Sequence, residues 1–230
     1  MKLLIIGDSH TLRLSRSHDE DWVHECLWDQ NGPVNTECIE NHLRKSANLP
    51  ATVFYSGHKG KTGYRGSYYE DKKYPCLENF TNEDFLILPW FGYIDIKQFI
   101  PLDEFSGAEE SVTKYLDKTL NFFKNNKIRF IEPLPQFVNG LGTGSPILSF
   151  EQRQQPYLDF LYHLNKQCEE RGLEKPISIE KILGVDRLYD YHECHECRDC
   201  LDPQFINSKL DHPKKEYFTQ ILDGILKEVL

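Results

Sequence analysis

The sequence contains no apolar run of about 18 residues or more, which is the length that a membrane-spanning helix needs. It also lacks an excess of positive charge, because 27 Lys and Arg stand against 36 Asp and Glu, for a net charge of −9. This balance argues against the phosphate backbone of a nucleic acid as a partner. We therefore expect no membrane span and no nucleic-acid partner.

The sequence shows neither the pattern of a secretion signal nor that of a disulfide framework. The apolar stretch at residues 1–6 is too short for a signal peptide, and Gly7-Asp8 ends it without a small-residue cleavage site. The seven cysteines are an odd number, which favours reduced thiols over paired disulfides. These features predict a cytoplasmic protein.

The sequence does contain enough apolar residues for one core, because 39% of its 230 residues are hydrophobic. Apolar runs that alternate with amphipathic stretches predict a parallel sheet with right-handed crossovers. The predicted strands are 2–6, 51–55, 85–88, 128–131 and 176–179, and the clearest predicted helices are 106–126, about 149–168 and 218–229. We expect one α/β domain over residues 1–230, with an irregular Cys- and His-rich insertion at about 186–210.

The predicted helices carry start signals and apolar faces. Ser106 and Glu109 have the spacing of a capping box at the start of the clearest helix. Val112, Tyr115 and Leu116 then begin its apolar face. Similar stripes make the other two predicted helices amphipathic.

The first chemical motif is the turn that follows the first strand. Gly7-Asp8-Ser9 ends the apolar run, and residues 11–14 can begin a helix. A serine in this place lies at the carboxyl end of the sheet, where open α/β folds bind their ligands. The first N–H groups of a helix lack partners within the helix, so they can stabilise a developing oxyanion. This turn therefore predicts a nucleophile together with oxyanion donors.

Gly7-Asp8-Ser9 at the end of the first strand, with His212-Pro213 near the C-terminus, resembles the motifs of the SGNH (GDSL-like) hydrolases. The resemblance implies a three-layer α/β/α sandwich with a flavodoxin-like, mostly parallel sheet of about five strands. It implies hydrolysis of esters of small acyl groups, sugars or lipids by a serine nucleophile, with no cofactor required for catalysis.

The same resemblance implies that His212, just before the last helix, is the general base for Ser9. The family carries an Asp three residues before this His, and Lys209 stands there in this sequence. Asp211, Asp202 or a main-chain carbonyl are the alternatives for orienting His212, and a Ser–His dyad is another.

His10 is a rival base because it follows Ser9 directly. Neighbouring side chains on a tight turn usually point apart, so we expect His10, together with Asp8, to contribute to the substrate pocket instead.

The oxyanion donors are the part of the pattern that departs most from the family. The family uses the N–H of the nucleophile and that of a glycine after the second strand, for which Gly60 is our choice, with Gly57 and Gly63 as alternatives. Several glycines follow one another in this loop, so turn formation alone also explains them.

The third family donor is an Asn side chain in a Gly-x-Asn-Asp block after the third strand. Here the block is Gly92-Tyr93-Ile94-Asp95, so Gly92 and Asp95 fit and Ile94 replaces the Asn. This predicts a divergent branch with a Gly-x-Ile-Asp block. Aromatic residues at and before the block, Trp90, Phe91 and Tyr93, are predicted to lie at the mouth of the site and to favour a sugar or small apolar acyl group.

A Cys- and His-rich segment precedes His212. Cys194, His195, Cys197 and Cys200 have spacings that suit tetrahedral zinc, which prefers thiolate and imidazole ligands. A structural zinc ion is therefore one prediction, and free thiols are the alternative.

The sequence as a whole predicts a serine ester hydrolase that acts on a small acyl or carbohydrate ester. The missing Asn keeps a second hypothesis open, a catalytically inactive SGNH-like module that binds a glycan or a protein. A zinc-dependent interaction protein is the third. The oligomeric state is left open.

Overall fold

The computed structural model describes residues 2–14, 51–57, 63, 75–96, 107–134, 150–184, 206–207, 212–213 and 215–230. Within these ranges strands and helices follow one another along the chain. The elements in chain order are β1 (Lys2–Gly7), α1 (Ser9–Leu14), β2 (Thr52–Gly57), a 3₁₀ helix (Pro75–Phe80), β3 (Phe85–Trp90), α2 (Ala108–Phe122), β4 (Lys127–Ile128), α3 (Phe150–Glu170), α4 (Ile179–Leu183), β5 (Ile206–Asn207), β6 (His212–Pro213) and α5 (Lys215–Val229).

The main sheet is parallel and has the strand order β2-β1-β3-β4, which makes β1 a central strand. The line of β4 continues to Ile131, whose N–H donates to the Pro89 carbonyl at 2.9 Å. Ile131 then forms a parallel bridge with Ile177. The predicted fifth strand at 176–179 is thus a single bridge, because α4 already begins at Ile179. The predicted α/β class is confirmed.

The core has two halves, one on each face of the sheet. Because side chains alternate along a strand, Leu3 and Ile5 of β1 point into one half, and Leu4 and Ile6 point into the other. Helices α1 and α5 cover the first half, and α2 and α3 cover the second. The buried residues of these helices include Leu14, Phe218, Ile221, Leu222 and Ile225 on one side and Val112, Leu116, Tyr157, Phe160 and Leu164 on the other. The architecture is therefore the predicted three-layer α/β/α sandwich.

Helix α2 begins differently from the prediction. Its N-cap is Gly107, with a φ of 92° and no side-chain cap hydrogen bond, and the helix starts at Ala108. Ser106 lies outside the described residues. The capping box that we predicted for Ser106 and Glu109 is therefore wrong, because a glycine at positive φ turns the chain into the helix instead.

Two general findings complete the fold. Within the described ranges, no helix is both long enough and apolar enough to cross a bilayer.

Cys168 on α3 is buried and free, and burial raises the pKa of its thiol to about 12. This thiol is therefore protonated and unreactive at neutral pH.

Candidate functional site

The turn after β1 lies at the carboxyl end of the sheet, between the ends of β2 and β3. Gly7 is paired in register with Gly57 of β2 and with Trp90 of β3. A Cβ on Gly7 would collide with the Trp90 carbonyl oxygen and with the Thr11 hydroxyl. Only glycine lets β1 end this close to both β3 and α1, so Gly7 fixes where the next residues lie.

Asp8 holds the start of α1. Its side chain is buried, and its Oδ1 accepts the His10 backbone N–H at 2.9 Å, which is the bond that an N-cap residue makes. The same Oδ1 lies 2.8 Å from His10 Nδ1. Because an ionised carboxylate can only accept, Nδ1 is the nitrogen that carries hydrogen. Asp8 thereby fixes both the turn that contains Ser9 and the orientation of the His10 ring.

His10 points into the core beside the candidate nucleophile. Its side chain is buried, and its ring centroid lies 4.4 Å from that of Tyr93 in an edge-on contact. The Phe218 ring of α5 stacks on the His10 ring with a centroid distance of 6.3 Å. His10 therefore connects the turn after β1 with the first turn of the last helix.

Ser9 is the first residue of α1, and the structure describes its backbone. Its N–H therefore belongs to the first turn of a helix, as the sequence predicts. The Ser9 side chain lies outside what is described.

His212 lies in β6, which pairs antiparallel with β5 through the register Asn207 to His212. Helix α5 begins three residues later at Lys215, and its first turn includes Phe218. Phe218 is six positions after His212, so their Cα atoms are at most roughly 20 Å apart. Because Phe218 contacts His10, the first turn of α5 lies at the same end of the sheet as Ser9, and His212 precedes that turn in the chain. The His212 side chain lies outside the description.

The Gly92-Tyr93-Ile94-Asp95 block forms the turn after β3. Gly92 has a φ of 117°, and a Cβ there would lie 2.7 Å from the Phe160 ring. The Ile96 N–H donates to the Gly92 carbonyl at 2.9 Å, which closes the turn. Ile94 is half-buried and packs against the core half that contains Leu3 and Ile5. Position 94 therefore offers no side-chain hydrogen-bond donor.

Asp95 joins this block to the loop after β2. Its side chain is fully buried, and its Oδ2 accepts the Gly63 N–H at 2.8 Å. A Cβ on Gly63 would lie 2.9 Å from the Tyr115 ring, so this residue packs flat on α2. The Gly63 N–H is engaged by a carboxylate. Of the three glycines considered as oxyanion donors, Gly57 and Gly60 remain, and Gly60 lies outside the described residues.

The aromatic residues around the block lie in the core. Trp90, Phe91 and Tyr93 are each at most 2% exposed. The Trp90 indole N–H donates to the Glu132 carbonyl at 2.9 Å, and the Phe91 N–H donates to the Tyr115 hydroxyl at 3.3 Å. The prediction that these rings line an open mouth is therefore wrong, because they fill the space between the strand ends and the helices.

Glu132 is a buried carboxyl at the same end of the sheet that the sequence analysis did not single out. Its Oε1 accepts the Asn165 side-chain N–H at 3.2 Å. Burial raises its pKa, against the opposing effects of hydrogen bonds from Asn165 and Ser178 and of the positive charge of Lys175. An acid that directly follows an apolar strand and precedes a proline was the available signal.

Several predicted site residues lie outside the described residues. They are Gly60, Asp202 and Asp211 of the catalytic and oxyanion hypotheses and Cys194, His195, Cys197 and Cys200 of the zinc hypothesis. Among the residues that the structure does describe, no group of three or more His, Cys, Asp or Glu could hold a metal ion. The zinc site and the identity of the His212 partner stay predictions.

The chain is similar to known proteins in its structure, whereas its sequence gives no match. The sequence matches no protein-family model, and it has no significant match among curated proteins. Solved structures do match over nearly the whole chain. A proposed lipolytic protein of the G-D-S-L family from Desulfitobacterium hafniense has a TM-score of 0.54 at 15% identity, covering 98% of each chain.

Two acetylxylan esterases are similar to the same degree. Axe2 from Geobacillus stearothermophilus has a TM-score of 0.53 at 15% identity, covering 99% of this chain and 93% of its own. The acetyl xylan esterase AlAXEase has a TM-score of 0.56 at 11% identity, covering 100% of both chains. The chain has the fold of the SGNH (GDSL-like) hydrolases. At these identities the likeness establishes the SGNH architecture alone.

Proposed function

We propose that this chain is a serine ester hydrolase with Ser9 as its nucleophile and His212 as its general base. The observation that carries the proposal is the turn between β1 and α1. Gly7 and Asp8 fix Ser9 as the first residue of a helix at the carboxyl end of a central parallel strand. Ligands of open α/β folds bind at this end of the sheet.

The reaction that these residues would perform has two halves. In the first, Ser9 Oγ attacks the ester carbonyl carbon while His212 accepts the hydroxyl proton. The carbonyl oxygen becomes an oxyanion that accepts hydrogen bonds from the Ser9 N–H and from an N–H of the loop after β2, with Gly57 and Gly60 as the candidates. The tetrahedral intermediate then collapses, and His212 returns the proton to the departing alcohol.

In the second half, water replaces the alcohol. His212 takes a proton from the water, whose oxygen attacks the acyl-enzyme carbonyl, and the carboxylic acid leaves as Ser9 regains its proton. Asp211 is our choice for the group that orients His212, with Asp202 as the alternative. We place the chain in a divergent branch of the SGNH hydrolases, because Ile94 stands where the family has a donor and packs into the core.

We further propose a small acyl ester, such as the acetyl ester of a carbohydrate, as the substrate. The support is that two similar folds are acetylxylan esterases. The buried Trp90, Phe91 and Tyr93 do not contribute to this choice. The solved structures give no support to the alternative of a non-catalytic binding module.

The test is release of acetate from acetylated xylo-oligosaccharides and of nitrophenol from p-nitrophenyl acetate. Ser9→Ala and His212→Ala are each expected to lower kcat by about 10³-fold or more. Ser178→Ala and His163→Ala, which alter the same residue types elsewhere, are expected to keep wild-type kcat. Hydrolysis that persists in Ser9→Ala, or its absence from the wild type, would overturn the proposal.

A further inference from the structure

Asp95 is a buried carboxyl group that joins two segments of the chain. Its side chain is fully buried, and its Oδ2 accepts an N–H from Gly63, a residue 32 positions earlier in the chain. A carboxyl group is costly to bury unless hydrogen bonds compensate the loss of water, and the 2.8 Å bond from the Gly63 N–H is one of them. The contact therefore fixes the loop after β2 to the turn after β3.

Tyr115 supports this contact from the α2 side. Gly63 packs against the Tyr115 ring so closely that even a Cβ would lie 2.9 Å from it. The Tyr115 hydroxyl in turn accepts the Phe91 N–H, four residues before Asp95. The ring is itself buried, so Gly63 and the backbone near Asp95 both pack against one buried side chain.

The contact fixes one end of a short stretch of the chain. Gly57, the last residue of β2, is held by pairing with Gly7, and Gly63 is held by Asp95. Only five residues lie between these two fixed points, and Gly60 is among them. Because Ile94 supplies no side-chain donor, stabilisation of the oxyanion would depend on main-chain N–H groups of Ser9 and of this loop.

We propose that Asp95 is a positioning residue for the oxyanion site. It fixes Gly63 and thereby limits where a main-chain N–H between Gly57 and Gly63 can donate to the oxyanion that forms at Ser9. This inference rests on the proposed ester hydrolysis. It differs from a substrate-binding role for Asp95, since a fully buried carboxylate that binds Gly63 is not available to a substrate.

The experiment compares Asp95→Ala with Asp95→Asn in the full chain. Alanine removes the acceptor for the Gly63 N–H, whereas the Asn carbonyl oxygen can still accept it. We expect Asp95→Ala to lower kcat on p-nitrophenyl acetate by about 10²-fold, with a much smaller change in KM, as for loss of an oxyanion donor. Asp95→Asn should stay within about threefold of wild type, because the hydrogen bond is kept. Asp117→Ala, which removes an exposed acid on α2, is the matched control and should keep wild-type kcat.

Hydrogen exchange gives a readout that does not depend on activity. Amides in peptides that cover residues 58–66 should exchange faster in Asp95→Ala than in wild type, and at the wild-type rate in Asp95→Asn. If the wild type hydrolyses no ester, the proposed function fails, and the exchange data still decide whether Asp95 holds the loop.

A second variant covers the case in which Asp95→Ala does not fold. Gly63→Ala leaves the carboxylate in place but pushes the loop away from Tyr115, so it should reproduce both the loss of kcat and the faster exchange. Wild-type kcat and exchange in Asp95→Ala or Gly63→Ala would overturn the inference. So would an Asp95→Asn variant that loses kcat as completely as Asp95→Ala while its loop exchanges at the wild-type rate.

Discussion

At the carboxyl end of the sheet Asp8 and Asp95 are at most 1% exposed, whereas at the amino end Lys2 and Asp84 form their ion pair with side chains 50% and 72% exposed. Buried polar groups must be hydrogen-bonded in one geometry, while exposed ion pairs are weak and tolerate rearrangement. Buried hydrogen bonds therefore fix the positions of side chains at the carboxyl end of the sheet. Ser9 begins α1 at the same end.

Helix α5 shows the same contrast between its two ends, and Arg129 attaches the second of them. It donates to the Glu228 carbonyl at 2.7 Å and to the Glu228 carboxylate at 2.9 Å, which attaches the end of α5 to the sheet. The start of α5 is attached instead by stacking of Phe218 on the His10 ring. One helix is thus held by a partly solvated charge pair at its end and by a buried aromatic contact at its start.

The largest expected loss of stability is at Gly92, at the carboxyl end of the sheet, and Gly172, which follows α3, provides the comparison. Gly92→Ala should lower the free energy of unfolding by about 3 kcal/mol, because it adds positive-φ strain to a clash with Phe160. Gly172→Ala, at a φ of 66° with open space around it, should cost only about 1 kcal/mol. Urea unfolding measures both. Equal losses would show that the carboxyl end is packed no more tightly than the amino end.

Two aspartates provide the next comparison. Asp8→Ala should cost about 2–3 kcal/mol of unfolding free energy, because it removes a helix cap and leaves the buried Nδ1–H of His10 without its acceptor. Asp84→Ala should cost about 0.5 kcal/mol or less, since its ion pair with Lys2 is exposed. Thermal or urea unfolding of the two variants measures the difference. A loss for Asp84→Ala as large as that for Asp8→Ala would break the contrast between the ends.

The smallest expected effect is on the pH dependence of stability, which should be opposite for Glu132 and Glu228. Burial raises the pKa of Glu132 above 4.5, so its favourable contribution to stability is present below that pH and is lost as pH rises through the raised pKa. Glu132→Gln should therefore stabilise the protein at pH 7, and its advantage should shrink as pH falls toward 4.5.

Glu228 is the counterpart at the amino end. The hydrogen bond from Arg129 lowers its pKa, so its contribution is present above pH 4.5 and is lost as pH falls through the lowered pKa. Glu228→Gln should destabilise the protein at pH 7 and have less effect in acid. Unfolding midpoints measured from pH 3 to 8 test both variants. Changes of the same sign at pH 7 would contradict the assigned causes.

The parts of the fold that follow local periodicity were predictable from the sequence. The apolar faces that begin with Val112 and with Phe218 are buried as predicted, because helix burial depends on spacing along the chain. Strand β2 extends to Gly57, two residues beyond the prediction, since pairing with Gly7 rather than composition decides where it ends. The predicted fifth strand shrinks to one bridge at Ile177.

The candidate site was predictable only where one short segment carries it. Gly7, Asp8 and Ser9 are consecutive, so their turn could be recognised. The contact between Asp95 and Gly63 joins residues 32 positions apart, and no local pattern encodes it. Trp90 and Tyr93 look like binding aromatics in the sequence, and only tertiary packing shows that they are buried.

Covalent labelling with a fluorophosphonate ester tests directly whether Ser9 is the nucleophile. Mass spectrometry of the peptides then locates the modified residue. We expect one adduct, on Ser9, that is absent from Ser9→Ala and forms about 10³-fold more slowly in His212→Ala. No adduct on the wild-type protein, or an adduct on another residue that persists in Ser9→Ala, would contradict it.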